Sequence, residues 1–111
     1  MPEAIHQSLA NGGWQRLSLA AQLGNVSGEI SRTLNWQNKN TAYRDNALIR
    51  GFELLNLTNA DTRWRRRLKE LTRLREVLLD FFYDQNNYGS TEDNLRQYFD
   101  HFAYAARLNK L

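Results

Sequence analysis

The chain contains no cysteine, which excludes disulfides, thiolate metal sites, iron–sulfur clusters and a cysteine nucleophile. A chain without thiols suits a reducing compartment, and a cytoplasmic location is expected. There is one proline, Pro2, and six glycines in 111 residues. With both backbone breakers scarce and β-branched residues sparse, the chain reads as helical. No apolar run approaches the ~20 residues needed to cross a bilayer. Residues 1–13, "MPEAIHQSLANGG", lack the basic and apolar regions of a secretory signal, and read as a flexible lead-in. Only two histidines occur, His6 and His101, and no Glu-x-x-His motif is present, so neither a metal site nor a cofactor is expected. No glycine-rich phosphate loop stands in a strand–turn–helix context.

The residues that are present suit a single domain over 14–111. A chain of this length buries roughly two-thirds of its unfolded surface, enough for one core without staples. Apolar residues recur at helical spacing in four segments. The first spans about Trp14 to Gln37, with Leu23, Val26, Ile30 and Leu34 on one stripe and the small residues Ala20, Gly24, Ser27 and Ser31 beside it. Gly24 and Gly28 cost helix propensity, and either close approach of a second helix is the compensation or they mark a kink or break in the helix.

The second segment starts at Asn40 or Thr41 and ends near Asn59. Tyr43, Ala47, Leu54 and Thr58 form its stripe, flanked by Leu48, Phe52 and Leu55. The third runs from Asp61 or Thr62 to about Asp84, with Trp64, Leu68, Leu71, Leu74, Leu78 and Phe81 inward. After the turn-forming "DQNNYGS", the fourth starts at Ser90 or Thr91 and reaches about Arg107, with Ser90 and Asp93 spaced as a capping box. Four such helices with short connections predict an all-α, antiparallel up-down-up-down bundle.

Charge is mild overall, at +3, but uneven. Arg63, Arg65, Arg66, Arg67, Lys69, Arg73 and Arg75 fall within thirteen residues, with Glu70 the one acid among them. A helix face of this kind either binds phosphates through counterion release or is solvated and paired with nearby acids such as Glu70, Glu76 and Asp80. Arg63, Arg66, Arg67, Lys69 and Arg73 are the candidate phosphate contacts, and RNA is the corresponding partner. Glu29 and Glu53 fall mid-helix, where ion pairing is the ordinary role of glutamate.

In the last segment, at 100° per residue, Leu95, Phe99, Phe102 and Ala106 share the core stripe. His101, Tyr104 and Leu108 lie outside it and form a candidate interface for a second copy or another protein. Arg96 stands five residues before His101, about 140° around the helix. Arg96 also precedes Asp100 by four residues, the spacing of a helix-surface ion pair.

Arg96, "QYFD" and His101 on the last of four helices resemble the motif of the HEPN superfamily, small prokaryotic helical bundles that are often dimeric. Gln97 stands where the family often has Asn. Ala103 stands where members paired with a minimal nucleotidyltransferase commonly have Tyr, Tyr104 being one residue further. The resemblance implies a cytoplasmic homodimer and one of two activities. The first is an interaction module acting beside a partner such as a minimal nucleotidyltransferase, in a toxin–antitoxin-like pair. The second is a metal-independent ribonuclease in which His101 moves the proton and Arg96 stabilises the charged transition state across a dimer interface. A structural bundle without catalysis is the third reading.

Overall fold

The computed structural model describes residues 13–108, with side chains described through His101 and at Tyr104. The expected lead-in thus falls, but for Gly13, outside the described residues, and so do the side chains of Phe102, Ala106 and Leu108. Four α-helices carry the fold: α1 (Leu19–Trp36), α2 (Thr41–Ala60), α3 (Leu68–Tyr83) and α4 (Glu92–Leu108). No strand occurs among the described residues. Two short 3-10 turns, Trp14–Arg16 and Thr62–Arg67, precede α1 and α3.

These turns are where the helix boundaries differ from expectation. The first segment breaks at Leu17, whose ψ of 148° is extended. Ser18 then caps α1 by accepting a hydrogen bond from the Ala21 amide at 3.1 Å, satisfying one of the donors that a helix start leaves unpaired. In the third segment, Asp61 closes α2 and opens the 3-10 turn by accepting from the Arg63 amide at 3.0 Å. A 3-10 turn advances three residues per turn instead of 3.6, so the inward face is not carried smoothly from Trp64 into α3. Leu68, expected inward, is therefore 42% exposed, while Leu71, Leu74 and Leu78 are buried.

The remaining ends follow side-chain chemistry. Asn40 caps α2 by accepting from the Tyr43 amide at 3.0 Å. At α4 the reciprocal box is Thr91 with Asn94, one residue later than expected: the Asn94 amide donates to the Thr91 hydroxyl, and the Thr91 amide to the Asn94 side chain. Between α3 and α4 the loop is well organised. Asp80, only 6% exposed, accepts from the Asn87 and Tyr88 amides at 2.6 and 2.9 Å. Asn86 and Gly89 take positive φ, the conformation those residue types tolerate best.

One core joins the elements. Trp14 is fully buried beside Leu19, Leu23, Val26, Ile30 and Leu34 of α1, Leu48, Leu54 and Leu55 of α2, Leu71, Leu74 and Leu78 of α3, and Leu95 and Phe99 of α4. Helix α1 packs against both α2 and α4. The close approach of α1 and α2 occurs at Gly51, not at the glycines of α1. A Cβ on Gly51 would meet Ile30 Cδ1 at 3.2 Å and Glu29 Cβ at 3.5 Å. A Cβ on Gly24 would meet nothing within 4 Å, and one on Gly28 only Arg32 of its own helix. Gly24 points to solvent, so its small size relieves no crowding, and α1 runs unbroken through both glycines. Tyr43, expected in the α2 stripe, is exposed and packs edge-on against Trp36 with ring centroids 5.0 Å apart.

Candidate functional site

Helix α4 is oriented by Leu95 and Phe99, each 1% exposed. That inward pair turns the face bearing Asn94, Gln97, Tyr98 and His101 outward, where these residues line an open concavity of about 420 Å³. His101 is exposed, as the helical wheel requires, and Tyr104, 55% exposed, continues the outward side one turn further along. Nothing within the described chain covers this face, and His101 has no hydrogen-bond partner among the described residues. The face combines aromatic rings with amide and imidazole groups, and of these the aromatic rings are the kind enriched at protein interfaces.

Arg96 lies on a different side of α4. Its NH2 group donates to the Asn35 side chain at the end of α1, 3.1 Å away. The ion pair with Asp100 suggested by their spacing is not formed, and no described contact joins Arg96 to His101. The structure therefore holds the guanidinium at the α1–α4 seam and the imidazole in the open, about 140° apart around the helix.

The basic run divides by environment. Arg63 is consumed internally: its Nε and NH2 donate to the Asp61 carboxylate, with the shortest contact at 2.7 Å, and NH2 also donates to the Leu17 carbonyl at 2.7 Å. Its guanidinium lies 4.4 Å from the centre of the Trp64 ring. Arg67 lies against Glu70 at 2.9 Å. Arg73 lies over Tyr88, and Arg75 donates to Asn56 while approaching the Phe52 ring. Arg65, Arg66 and Lys69 are exposed. Residues 62–67 line a concavity of about 450 Å³ whose rim carries most of this charge.

Two buried polar clusters were not foreseen as such. Gln22, fully buried, donates to the Trp14 carbonyl at 2.9 Å and to Asp61 at 3.1 Å, and accepts from the Trp64 indole at 2.9 Å. It thereby ties α1 to both 3-10 turns. The Arg63 guanidinium, with help from Gln22, holds the Asp61 carboxyl below its ordinary value against the opposing effect of burial. Asp61 in turn raises Arg63. The second cluster is Glu29, 6% exposed, which pairs with Arg32 of its own helix at 3.1 Å and with Arg50 of α2 at 3.3 Å. The ion-pairing role expected of Glu29 is met here, its burial and its second partner on α2 being what the sequence did not indicate. A buried Gln gives no advance signal, since two of its three partners lie about forty positions away in sequence.

No group of three or more His, Asp or Glu side chains suited to a metal ion occurs among the described residues. No helix of the described residues is long and apolar enough to cross a membrane. Comparison with protein-family models, curated proteins and solved structures finds no match to this chain.

Proposed function

We propose that this chain is a HEPN-like interaction module that docks a protein partner, such as a minimal nucleotidyltransferase, on the outward face of α4. The proposal includes an antiparallel up-down-up-down bundle working in the cytoplasm as a homodimer. Contact pairs between helices support that arrangement. Along α1 and α2 the pairs are Trp36–Tyr43, Glu29–Arg50 and Gln22–Asp61, so one helix descends as the other ascends. Between α2 and α3, Phe52 meets Tyr83 and Asn56 meets Arg75, again in opposite directions. Arg96 beside Asn35 puts the start of α4 at the end of α1.

The observation carrying the functional reading is the uncovered side of α4, where His101 and Tyr104 are exposed away from Leu95 and Phe99, with Tyr98 at its edge. Tyrosine is enriched at protein–protein hot spots because a rigid amphipathic ring contributes area at little entropic cost. The test is titration calorimetry of the chain against any minimal nucleotidyltransferase found encoded beside it. Tyr104→Ser and His101→Glu should weaken binding by roughly tenfold or more, the loss of one good contact. Unchanged affinity in both variants counts against α4 as the docking face.

The ribonuclease reading is favoured by one feature, an exposed imidazole at the edge of an open concavity. It requires Arg96 to leave Asn35 or to be matched by the motif of a second copy. Under this reading Arg65, Arg66 and Lys69 hold the RNA backbone, since Arg63 is already occupied by Asp61. His101→Ala would then abolish cleavage of single-stranded RNA without loss of helicity. Cleavage that survives the substitution removes this reading.

A further inference from the structure

Helix α3 has a second face. Leu71, Leu74 and Leu78 bury one side in the core. On the opposite side Leu68, Thr72, Glu76, Leu79 and Tyr83 recur at steps of four, four, three and four, and so stack along one stripe. Leu68 is 42% exposed and Tyr83 63%, and Tyr88 of the following loop, 49% exposed, stands beside them. Two shallow depressions run along this stripe, about 510 Å³ between Leu68 and Glu76 and about 490 Å³ between Glu76 and Tyr88. They share Glu76, so together they form one trough along a helix about 24 Å long.

The trough is charged in opposite senses at its two ends. Lys69 and Arg73, preceded by the exposed Arg65 and Arg66, occupy the N-terminal half. Glu76 and the exposed Asp84 occupy the C-terminal half, Asp80 being turned to the loop amides. This polarity runs against the helix macrodipole, which favours acids at the N-terminus and bases at the C-terminus. A helix so arranged is stabilised by a partner carrying the reverse gradient in the same register, and the same helix turned end for end supplies it.

We infer that α3 pairs antiparallel with α3 of a second copy of this chain, about a two-fold axis passing between Arg73 and Glu76. The pairing is isologous. Arg73 of each copy faces Glu76 of the partner subunit, Arg65 and Arg66 approach Asp84 of the partner subunit, and Leu68, Leu79 and Tyr83 fill the seam. The pairing leaves the outward face of α4 free, so it does not depend on what α4 binds.

The test is solution mass by sedimentation across a concentration series. The parent chain dimerises. Arg73→Glu and Glu76→Arg each weaken the dimer by roughly tenfold or more, while far-ultraviolet circular dichroism keeps its helical signature. Mixing the two single variants restores a dimer containing one copy of each, because both cross-axis pairs are then opposite in sign. The double variant Arg73→Glu/Glu76→Arg restores a homodimer. Arg73→Glu also removes the Arg73–Tyr88 contact within the chain, and the double variant does not rebuild it, so rescue reports the pair between copies. A monomeric parent, single variants that dimerise as the parent does, or a mixture that fails to associate overturns the inference. So does a dimer broken by Tyr104→Ser and indifferent to the α3 substitutions, which places the contact between copies on α4.

Discussion

The α1–α2 pair and the other two helices, α3, which packs on α2, and α4, which packs on α1, are built on different terms. In the first, the buried Gln22 and Glu29 are answered from within the chain, Gln22 by Trp14, Asp61 and Trp64, and Glu29 by Arg32 and Arg50, although Glu53 Oε1 and Asn59 Oδ1 of α2 are buried without a hydrogen-bond partner among the described residues. Even its exposed rings, Trp36 and Tyr43, pack on each other. In the second, each helix buries one stripe and shows another. Tyr83 and Leu68 on α3, and Tyr98, His101 and Tyr104 on α4, face outward. Where a buried group has its partners within the chain, substitution is felt as lost stability. Where groups are left facing out, substitution costs little stability.

The sharpest way to break this contrast is in the shared core. Leu23→Ala or Leu55→Ala, at positions with 0% exposure, should lower unfolding free energy by about 2–5 kcal/mol in urea denaturation. Next comes Asp61→Ala, which strands buried Gln22 and frees Arg63. A loss of about 2–3 kcal/mol is expected, the range for removing a charged hydrogen-bond acceptor. Smaller again is Glu29→Ala, at about 1–2 kcal/mol, because Arg32 is 55% exposed and is readily solvated once its partner is gone.

A pH titration sharpens the same contrast. Asp61 has a depressed carboxyl pKa in the folded chain, so its contribution is complete above the ordinary value of 3.8 and is lost as pH falls through the lower, folded value. Asp61→Asn should therefore flatten the acid limb of the stability curve below about 3.8 and leave the rest of its shape unchanged. The smallest effects belong to the outward faces. Arg65→Ala, Arg66→Ala and Tyr104→Ser should each shift stability by no more than about 0.5 kcal/mol. A larger loss in any of them would mean that its side chain is part of the folded framework, and that division would fall.

Periodicity made the helices legible. It placed Leu23, Val26, Ile30 and Leu34, then Leu54 and Leu55, then Leu71, Leu74 and Leu78, and finally Leu95 and Phe99, where they are buried. It also pointed His101 and Tyr104 outward. What it misread were features that depend on departures from a uniform 3.6-residue helix. The extended Leu17 and the 3-10 geometry of residues 62–67 each reset the register, so the inward position expected for Leu68 was wrong. The glycines of α1 drew attention because glycine weakens helices, yet the tight contact sits at Gly51, and which helix faces it is decided by packing between segments far apart in sequence. The role of Arg63 was hidden for a similar reason: its acceptors are Asp61 two residues away and the Leu17 carbonyl, far along the chain.

Asp80 gathers the amides of Asn87 and Tyr88, and so a carboxylate on α3 fixes the path of the loop that leads into α4. The aim of the outward face of α4 is thereby set in part from α3 rather than by α4 alone. Asp80→Ala would act like loosening the pin of a hinge: the tyrosines and imidazole of α4 would keep their chemistry but lose their bearing, and any partner that reads them as a rigid pattern would register the change from a distance.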